Sequence, residues 1–265
     1  MATYNVSTWA EFVTAFTASG GTAADPDIIE ITADLDVNTS PITGRISAGG
    51  FKTINGNMHT IWNISVAVEF NYEIFEYGGA SRRIIWNKIN FNNIYRSGKY
   101  PIFKGGSSTW MRFFDCTFVM KGPQLFQYCT LTRCAVTHTN AQWRTSYADV
   151  DLIQTWMHYE AIFASGVTNY DFEEVETSYI EGKIDVPGYT TAGVLAYTLK
   201  DSVINLETSM DYTYLSADPG SSKKTVYNTT KMTGTIGSQS NIIGVTDSQM
   251  KDAAYLSSIG FNIIT

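Results

Sequence analysis

The feature that most constrains the fold is a series of short β-rich runs, separated by turn residues and too short for core helices. Two pairs of runs recur at an offset near 20 residues. Asp115–Val119 realigns with Arg133–Val136 at an offset of 18, and Gly182–Val186 realigns with Ser202–Leu206 at an offset of 20. Such offsets fit one coil of a solenoid, in which each rung stacks on the previous one. The runs therefore predict an all-β solenoid.

A β-sandwich is the main alternative, and it requires antiparallel hairpins with tight turns. Asn55-Gly56 is the only clear two-residue hairpin signal in the chain, which favours the solenoid. Nine or ten coils stacked at the strand spacing would form a rod about 45 Å long.

Both ends carry helix signals. Thr8 and Glu11 form a capping box ahead of an apolar stripe, which predicts a helix over residues 8–19 that caps the solenoid. Thr246 and Gln249 form a second box, with Gly260 placed to end a short helix and Phe261–Ile264 as a last strand. We predict one domain over 1–265, with an N-terminal cap at 1–24, coils at 25–243 and a C-terminal cap at 244–265.

Two segments depart from the repeat. Between Trp143 and Tyr170 the pattern blurs, which indicates an inserted loop or a lateral flap. Residues 216–240 are rich in Ser, Thr, Gly and Lys, which predicts an exposed loop or a thinner part of the rod.

Composition limits the function classes. A net charge of −7 and a pI near 4.9 argue against nucleic acid as a partner, because such binding requires Lys and Arg to neutralise phosphates. No apolar run reaches the roughly 20 residues of a membrane span, and Met1–Gly20 lacks the features of a signal peptide. Three cysteines cannot all pair within the chain, so we expect free thiols from folding in a reducing cytoplasm.

The resemblance of short segments to known β-helical proteins makes the fold prediction more specific. Phe51–Ile64 resembles the early coil of pectate-lyase-like right-handed β-helices, and the preceding helix and Asp27–Asp36 match the same layout. Gly244–Asp252 resembles the closing segment of β-helical bacterial adhesins and phage structural proteins. These stretches cover about a quarter of the chain. They imply a single-stranded right-handed parallel β-helix with an N-terminal capping helix and a short C-terminal helix, and they leave the activity open.

An enzyme of this fold would need converging carboxylates. The i, i+2 pairs, whose members share a strand face, are Asp25 with Asp27, Asp34 with Asp36, and Glu174 with Glu176. Turn or solvent-exposed roles explain each pair more simply, because charged residues are mostly exposed. We therefore assign no catalytic residue.

The candidate metal ligands and catalytic bases also have simpler structural explanations. Cys129, Cys134 and His138 do not match a zinc signature, and a buried, inert Cys134 is the simpler interpretation. His59, His138 and His158 lack a nucleophile motif, and no phosphate-binding loop is present in the sequence. We expect no metal site and no cofactor.

Exposed aromatic residues on the flank of a β-helix stack on sugar rings or fill protein interfaces. Trp110, Trp143, Trp156 and Tyr159 are the candidates, and packing beneath loops is the alternative for each.

The first functional hypothesis is a non-enzymatic structural component of a bacteriophage particle, a head fibre, decoration or tail-associated protein. It would be made in the host cytoplasm and located in the virion. Its partners would be other virion proteins, further copies of itself, with a trimer favoured, and a host-surface glycan. The alternatives are a tailspike-type polysaccharide-degrading enzyme and a bacterial adhesin module.

Overall fold

The structure is a computed structural model that describes residues 1–40, 42–66, 73–76, 83–96, 100–107, 110–122, 126–142, 150–162, 170–185, 193–208, 212–215, 223–232, 235–238 and 241–261. The helices are α1 Trp9–Thr17, a short 3-10 helix Val37–Thr39, α2 Asp247–Met250 and α3 Ala253–Ser258. The strands are β1 Thr3–Val6, β2 Asp27–Ile31, β3 Leu35–Asp36, β4 Ile46–Ser47, β5 Lys52–Asn55, β6 Thr60–Trp62, β7 Ser65–Val66, β8 Phe75–Glu76, β9 Ile84–Asn87, β10 Asn90–Arg96, β11 Phe103–Lys104, β12 Met111–Phe114, β13 Thr117–Lys121, β14 Phe126–Gln127, β15 Cys129–Thr132, β16 Ala135–Gln142, β17 Val150–Ile153, β18 Trp156–Ile162, β19 Tyr170–Glu176, β20 Tyr179–Asp185, β21 Gly193–Lys200, β22 Val203–Thr208, β23 Tyr212–Leu215, β24 Thr225–Asn228, β25 Thr235–Ser238 and β26 Ile242–Val245.

The strands form three parallel sheets. Sheet A has the order β1-β2-β5-β9-β12-β15-β17-β19-β21-β23-β25, and sheet B has the order β26-β24-β22-β20-β18-β16-β13-β10-β6-β3, with β7 also paired to β10. Sheet C is short, with the order β14-β11-β8-β4. Every strand pairing among the described residues is parallel. The prediction of an all-β chain with long parallel sheets is confirmed, and a sandwich of antiparallel hairpins is wrong.

The chain visits the sheets in turn. From β2 to β14 it passes from sheet A to sheet B to sheet C, and from β15 onward it alternates between sheets A and B. The offset between paired residues therefore varies from 17, for Thr225 with Ile242, to 32, for Thr53 with Ile85, and it is 18 for Thr117 with Ala135. The predicted offset of 18 is confirmed. The offset of 20 for Gly182–Val186 is wrong, because Tyr179 pairs with Val203, 24 residues on.

Two-residue corners join strands of sheet A to strands of sheet B. The first residue of each corner has a positive φ between 49° and 55° in six successive coils: Lys88, Asp115, Arg133, Gln154, Thr177 and Asp201. The second residue points inward and is buried; this inner ladder consists of Ile89, Cys116, Cys134, Thr155, Ser178 and Ser202. A left-handed residue that is not glycine costs conformational energy, so the stacked corners must be held by their neighbours.

Hydroxyl groups of the inner ladder supply that support. The Thr155 backbone N–H donates to Ser178 Oγ at 3.0 Å, and the Ser178 backbone N–H donates to Ser202 Oγ at 3.1 Å. Ser178 Oγ in turn lies 2.8 Å from the carbonyl oxygen of Glu176, to which it donates. Each hydroxyl therefore forms hydrogen bonds with backbone groups that have no partner on a neighbouring strand at the tight corner.

The interior of the first coils is aromatic. Phe75 stacks on Phe103 at 5.2 Å between ring centroids, and Phe91 stacks on Phe118 at 4.9 Å. Helix α1 covers this interior, with Phe16 at 5.7 Å from Trp86. The capping box of the helix is formed as predicted, and the helix ends at Thr17. The structure therefore confirms a helix that covers the first coils.

The last helices lie against the outer face of sheet B. The second predicted capping box is formed at Thr246, and the predicted single helix is divided into α2 and α3. Leu256 and Phe261 pack with the outward-facing Val203 and Val226 in a small second core. The predicted last strand is wrong at Phe261, and its remaining residues lie outside the described part of the chain.

Two sequence-based expectations need correction. The predicted flap over residues 143–170 contains the regular strands β17 and β18, while Trp143 and Tyr147 lie outside the described residues. The predicted exposed loop over residues 216–240 contains β24 and β25. Both segments lack strong local alternation, and their pairing with neighbouring coils determines their structure. No helix in the described ranges is long and apolar enough for a membrane crossing.

The inner ladder predicts the result of removing one hydroxyl. Ser178→Ala should lower the free energy of unfolding by about 1–3 kcal/mol, because the buried Thr155 N–H loses its acceptor. Ser178→Cys should cost less, because the same ladder already contains Cys116 and Cys134. Chemical denaturation would measure both, with Ser257→Ala on the exposed side of α3 as the control. An equal loss in Ser178→Ala and the control would contradict this role.

Candidate functional site

A groove follows the corners between sheets A and B and crosses successive strands. We call it the corner groove. Its first segment, of about 370 Å³, is lined by Asn55, Asn57 and Asn87 and reaches Arg133. Its middle segment, of about 480 Å³, extends from Met58 to Trp156. Its last segment, of about 620 Å³, extends from Trp156 to α3 and Phe261. Consecutive segments share residues, so the groove is continuous.

Small side chains create the middle segment. On the outer face of sheet B, Thr117, Ala135 and Trp156 occupy one row, because they pair in register across β13, β16 and β18. Thr117 and Ala135 are short, so the surface is depressed between Met58 and Trp156. The thiols of Cys116 and Cys134 lie beneath this depression and are buried.

An ion pair lies on the corner rim of the groove. Arg133 donates to both carboxylate oxygens of Asp115, from Nε at 2.7 Å and from Nη2 at 2.9 Å. The Arg133 hydrogen bonds hold the pKa of Asp115 below its ordinary value, and the nearby charge of Lys88 acts in the same direction. The guanidinium also lies 5.9 Å from the Phe114 ring centroid. Arg133 is therefore held in a defined orientation on the rim.

Aromatic residues line the last segment. Trp156 is 40% exposed, and its ring stacks with His158 at 6.4 Å between centroids. Tyr179 follows Trp156 in the same row, and its hydroxyl accepts a hydrogen bond from Asn205 Nδ2 at 2.7 Å. Leu256 and Phe261 form the opposite wall. This end of the groove combines apolar surface with an oriented aromatic pair.

The four aromatic candidates from the sequence have different locations. Trp156 is exposed in the groove, whereas Tyr159 is fully buried with its ring 5.7 Å from His138. Trp110 is half-buried, with its ring 6.5 Å from that of Tyr128. Trp143 lies outside the described residues. The structure thus brings only Trp156 of this set, within the described part of the chain, to the groove.

The first carboxylate pair has structural partners. Asp25 binds the N-terminal amine of Met1 at 2.7 Å. Asp27 and Lys52 form a buried ion pair at 2.8 Å, and Lys52 Nζ also donates to the carbonyl of Ala18 at the end of α1. Burial alone would raise the pKa of Asp27, but the hydrogen bonds from Lys52 and from the Ala2 backbone hold it below its ordinary value. This pair attaches the cap to sheet A.

The second carboxylate pair, Asp34 and Asp36, stabilises the turns around β3. Asp34 accepts a hydrogen bond from the Thr60 backbone at 2.8 Å, and its carboxylate lies 3.4 Å from His59 Nδ1. Asp36 caps the short 3-10 helix by accepting from Asn38 N, and it also accepts from Asn63 Nδ2 at 2.9 Å. Both residues therefore have structural partners in the turns next to β3 and β6.

The third pair leads to a carboxylate that sequence reasoning missed. Glu174 and Glu176 bind Lys200 and Lys223 on the outer face of sheet A. Asp151 pairs in register with Glu174 from the adjacent strand. Burial first, and then the charges of Glu174 and Glu173, raise the pKa of Asp151 to about 7. The two residues are 23 positions apart, so only the strand register could have identified this pair.

The residues considered for zinc do not share one location. Cys129 lies in a strand of sheet A, Cys134 at a corner and His138 in sheet B, and all three are buried. Burial raises the pKa of Cys129 to about 12 and lowers that of His138 to about 4. Across the described ranges, no group of three or more His, Cys, Asp or Glu residues converges on a metal position.

Comparison of the chain with protein-family models, with curated proteins and with solved structures finds no match.

The raised pKa of Asp151 predicts a pH-dependent stability. The folded protein retains a proton between pH 3.8 and about 7 that the unfolded chain releases, so the free energy of unfolding should fall as the pH rises through this range. Asp151→Asn should remove this fall. At pH 8 we expect the variant to be more stable than the wild type by about 2 kcal/mol, after allowance for solvent screening.

Urea denaturation at pH 5 and pH 8 would measure this difference. Glu207→Gln, which changes an exposed carboxylate on sheet B, is the control. The same pH dependence in the wild type and in Asp151→Asn would contradict the assignment.

Proposed function

We propose that the chain coils as one right-handed parallel β-helix, and that this rod is a non-enzymatic structural component of a bacteriophage particle. In this proposal residues 1–24 and 244–265 cap the coils of residues 25–243. The rod would act as a head fibre, decoration or tail-associated protein in assembly or host-surface attachment.

The regular passage of the chain between the parallel sheets supports the coil. Sheet A contains eleven strands in one path, and its ten strand spacings correspond to a length of about 48 Å. Helix α1 covers the first coils, and its end is tied to sheet A through Lys52. Such a rod is rigid because each strand is paired on both sides except at the ends of a sheet.

One observation carries the assembly role: the exposed apolar side chains are concentrated on one side of the rod. Apart from Met1, every large apolar residue that is exposed, among those whose side chains the structure describes, lies in sheet B or just before β6. This set comprises Met58 at 57%, Trp62 at 40%, Tyr95 at 37%, Val119 at 49% and Trp156 at 40% exposed. Clusters of this kind mark surfaces that contact other proteins.

Lateral association suits this distribution. If the outer faces of sheet B meet around a threefold axis, they bury these apolar side chains and leave sheet A in solvent. Trp62 and Val119 both lie on this face: Val119 is in β13, near the middle of the sheet, and Trp62 is in β6, next to the terminal strand β3. A homotrimer that buries these two residues is therefore the favoured assembly.

The virion context depends on the resemblance of two segments. Phe51–Ile64 resembles an early β-helix coil, and Gly244–Asp252 resembles the closing segment of phage structural proteins and adhesins. In the structure the first segment contains β5 and β6, and the second contains the end of β26 and α2. Further virion proteins and a host-surface glycan are the partners that this context proposes.

A charge on the outer face of sheet B should prevent assembly. Trp62→Lys should reduce the mass in solution from that of a trimer toward the monomer mass of 29.4 kDa, because each interface would then bury an unpaired ammonium group. Light scattering after size-exclusion chromatography would measure the mass. Thr53→Lys, which places the same charge on the outer face of sheet A, should leave the mass unchanged.

The same proposal predicts that the protein is located on phage particles. Antibodies against the chain should label phage particles purified from the cells that encode it. A wild-type monomer, or a chain that is found only on the bacterial surface, would contradict the proposal, and the second outcome would favour the adhesin alternative.

The carboxylate pair on sheet A supports a second candidate function, cleavage of a polysaccharide. Asp151 and Glu174 are neighbours on one outer face, and Lys200 binds Glu174. With a pKa raised to about 7, Asp151 can hold a proton at neutral pH, as a general acid must, beside the Glu174 side chain. Adjacent strands place such groups at the short separation that is typical of retaining glycosidases.

A turnover assay separates the two candidates. The non-enzymatic role predicts neither reducing sugars nor unsaturated products from bacterial and plant polysaccharides. If turnover occurs, Asp151→Asn and Glu174→Gln should each reduce it at least about 100-fold, whereas Glu176→Gln should have little effect. Turnover with that pattern would replace the structural role by the enzymatic one.

A further inference from the structure

The middle segment of the corner groove has the form of a ligand site. It is a depression of about 480 Å³ with Met58 at one end and Trp156 at the other. Four strand steps separate β6 from β18, so the depression spans about 19 Å along the rod. Its floor is formed by Thr117 and Ala135, which remain accessible beside the large end residues. A narrow, extended ligand fits this shape better than a globular one.

Trp156 provides an aromatic platform at one end. Its side chain is 40% exposed, and stacking with His158 helps to hold the ring in place. His158 is in turn held by Glu160, whose carboxylate lies 3.1 Å from Nε2. Exposed, oriented indole rings bind apolar faces that carry polar groups at their edges, as sugar rings do. Gln154 lies beside Trp156 and supplies amide groups for hydroxyl partners.

The corner rim of this segment is cationic, although the whole chain has a net charge of −7. Lys88 is exposed and forms no ion pair within the described part of the chain. Arg133 and Asp115 neutralise each other, but the guanidinium remains half-exposed and bonds Asp115 through Nε and Nη2. Its Nη1 group is therefore directed away from that pair. An oriented guanidinium next to an ammonium group favours a carboxylate ligand.

We propose that the middle segment of the corner groove binds an extended oligosaccharide that carries carboxylate groups. A sugar ring stacks on Trp156, and the carboxylates bind Lys88 and Arg133. Asn57 and Asn87 in the first segment extend the polar lining for further sugar units. This inference rests on the attachment role proposed above and names the ligand class for it.

An apolar peptide fits this segment less well. Such a ligand would prefer the last segment, where Leu256 and Phe261 face Tyr179 and Val203. The middle segment instead presents Lys88, Arg133 and Gln154 along its rim, and an apolar ligand would leave these groups without partners. The polar rim beside one exposed indole therefore favours a sugar.

Titration calorimetry on the full chain tests the proposal. The probes are hexameric fragments of polygalacturonate and of polymannuronate, with maltohexaose as the neutral oligomer of equal length. We expect both acidic oligomers to bind and maltohexaose to bind at least about tenfold more weakly. Trp156→Ala and Lys88→Gln should each reduce the affinity for the acidic oligomers about tenfold. Added salt should weaken binding to the wild type more than to Lys88→Gln.

Two control variants are matched to these changes. Trp62→Ala removes an indole with the same exposed fraction from the same sheet face, and Lys121→Gln removes an exposed ammonium at the far end of β13. Neither residue lines the groove, so the affinity per chain should remain that of the wild type.

Three results would overturn the inference: no binding of either acidic oligomer, equal binding of maltohexaose, or an affinity that Trp156→Ala and Lys88→Gln leave unchanged. A failure here is distinguishable from failure of the proposed function. Trp62→Ala should alter the mass in solution without altering glycan affinity, and Trp156→Ala should do the reverse. A chain that forms trimers and labels particles but binds no acidic glycan would retain its structural role.

Discussion

The two-residue corner between sheets A and B is the constraint on which the rest of the structure depends. Each corner has a left-handed residue followed by a buried residue that points inward. The left-handed residue turns the chain from sheet A into sheet B, and its strain recurs in six successive coils. The inner hydroxyls of Thr155, Ser178 and Ser202 each accept a hydrogen bond from the backbone N–H of the preceding corner. The corners therefore stack in register, and the strands on both sides follow.

This register determines which side chains become neighbours. Asp115 meets Arg133 because one short coil of 18 residues separates them, and Asp151 meets Glu174 through a longer coil. In the same way, short side chains in two successive coils produce one depression on the surface. The corner groove, its cationic rim and the acidic pair on sheet A are thus consequences of the same stacking. Each arises from residues that are distant in the sequence.

The distribution of apolar groups separates two surfaces with different proposed roles. Aromatic rings fill the interior of the first coils, and α3 covers the outward-facing Val203 and Val226 at the far end of sheet B. Elsewhere on sheet B, Trp62 and Val119 remain exposed on the face of the sheet, whereas Trp156 lies at its corner. The proposed lateral interface and the groove at the corner can therefore coexist on one chain, because they use different parts of sheet B.

The sequence by itself determined what depends on local chemistry. Capping boxes at Thr8 and Thr246, the short β-rich runs and the 18-residue repeat around Cys116 and Cys134 are all present as predicted. Only the tertiary structure decided the lengths of the other coils, the strands within residues 143–170 and 216–240, and the pairing of Asp151. The physical reason is that parallel pairing joins residues about 20–30 positions apart, and the intervening loops vary in length. No local sequence pattern encodes the loop lengths. The groove and the acidic pair could therefore be identified only from the tertiary structure.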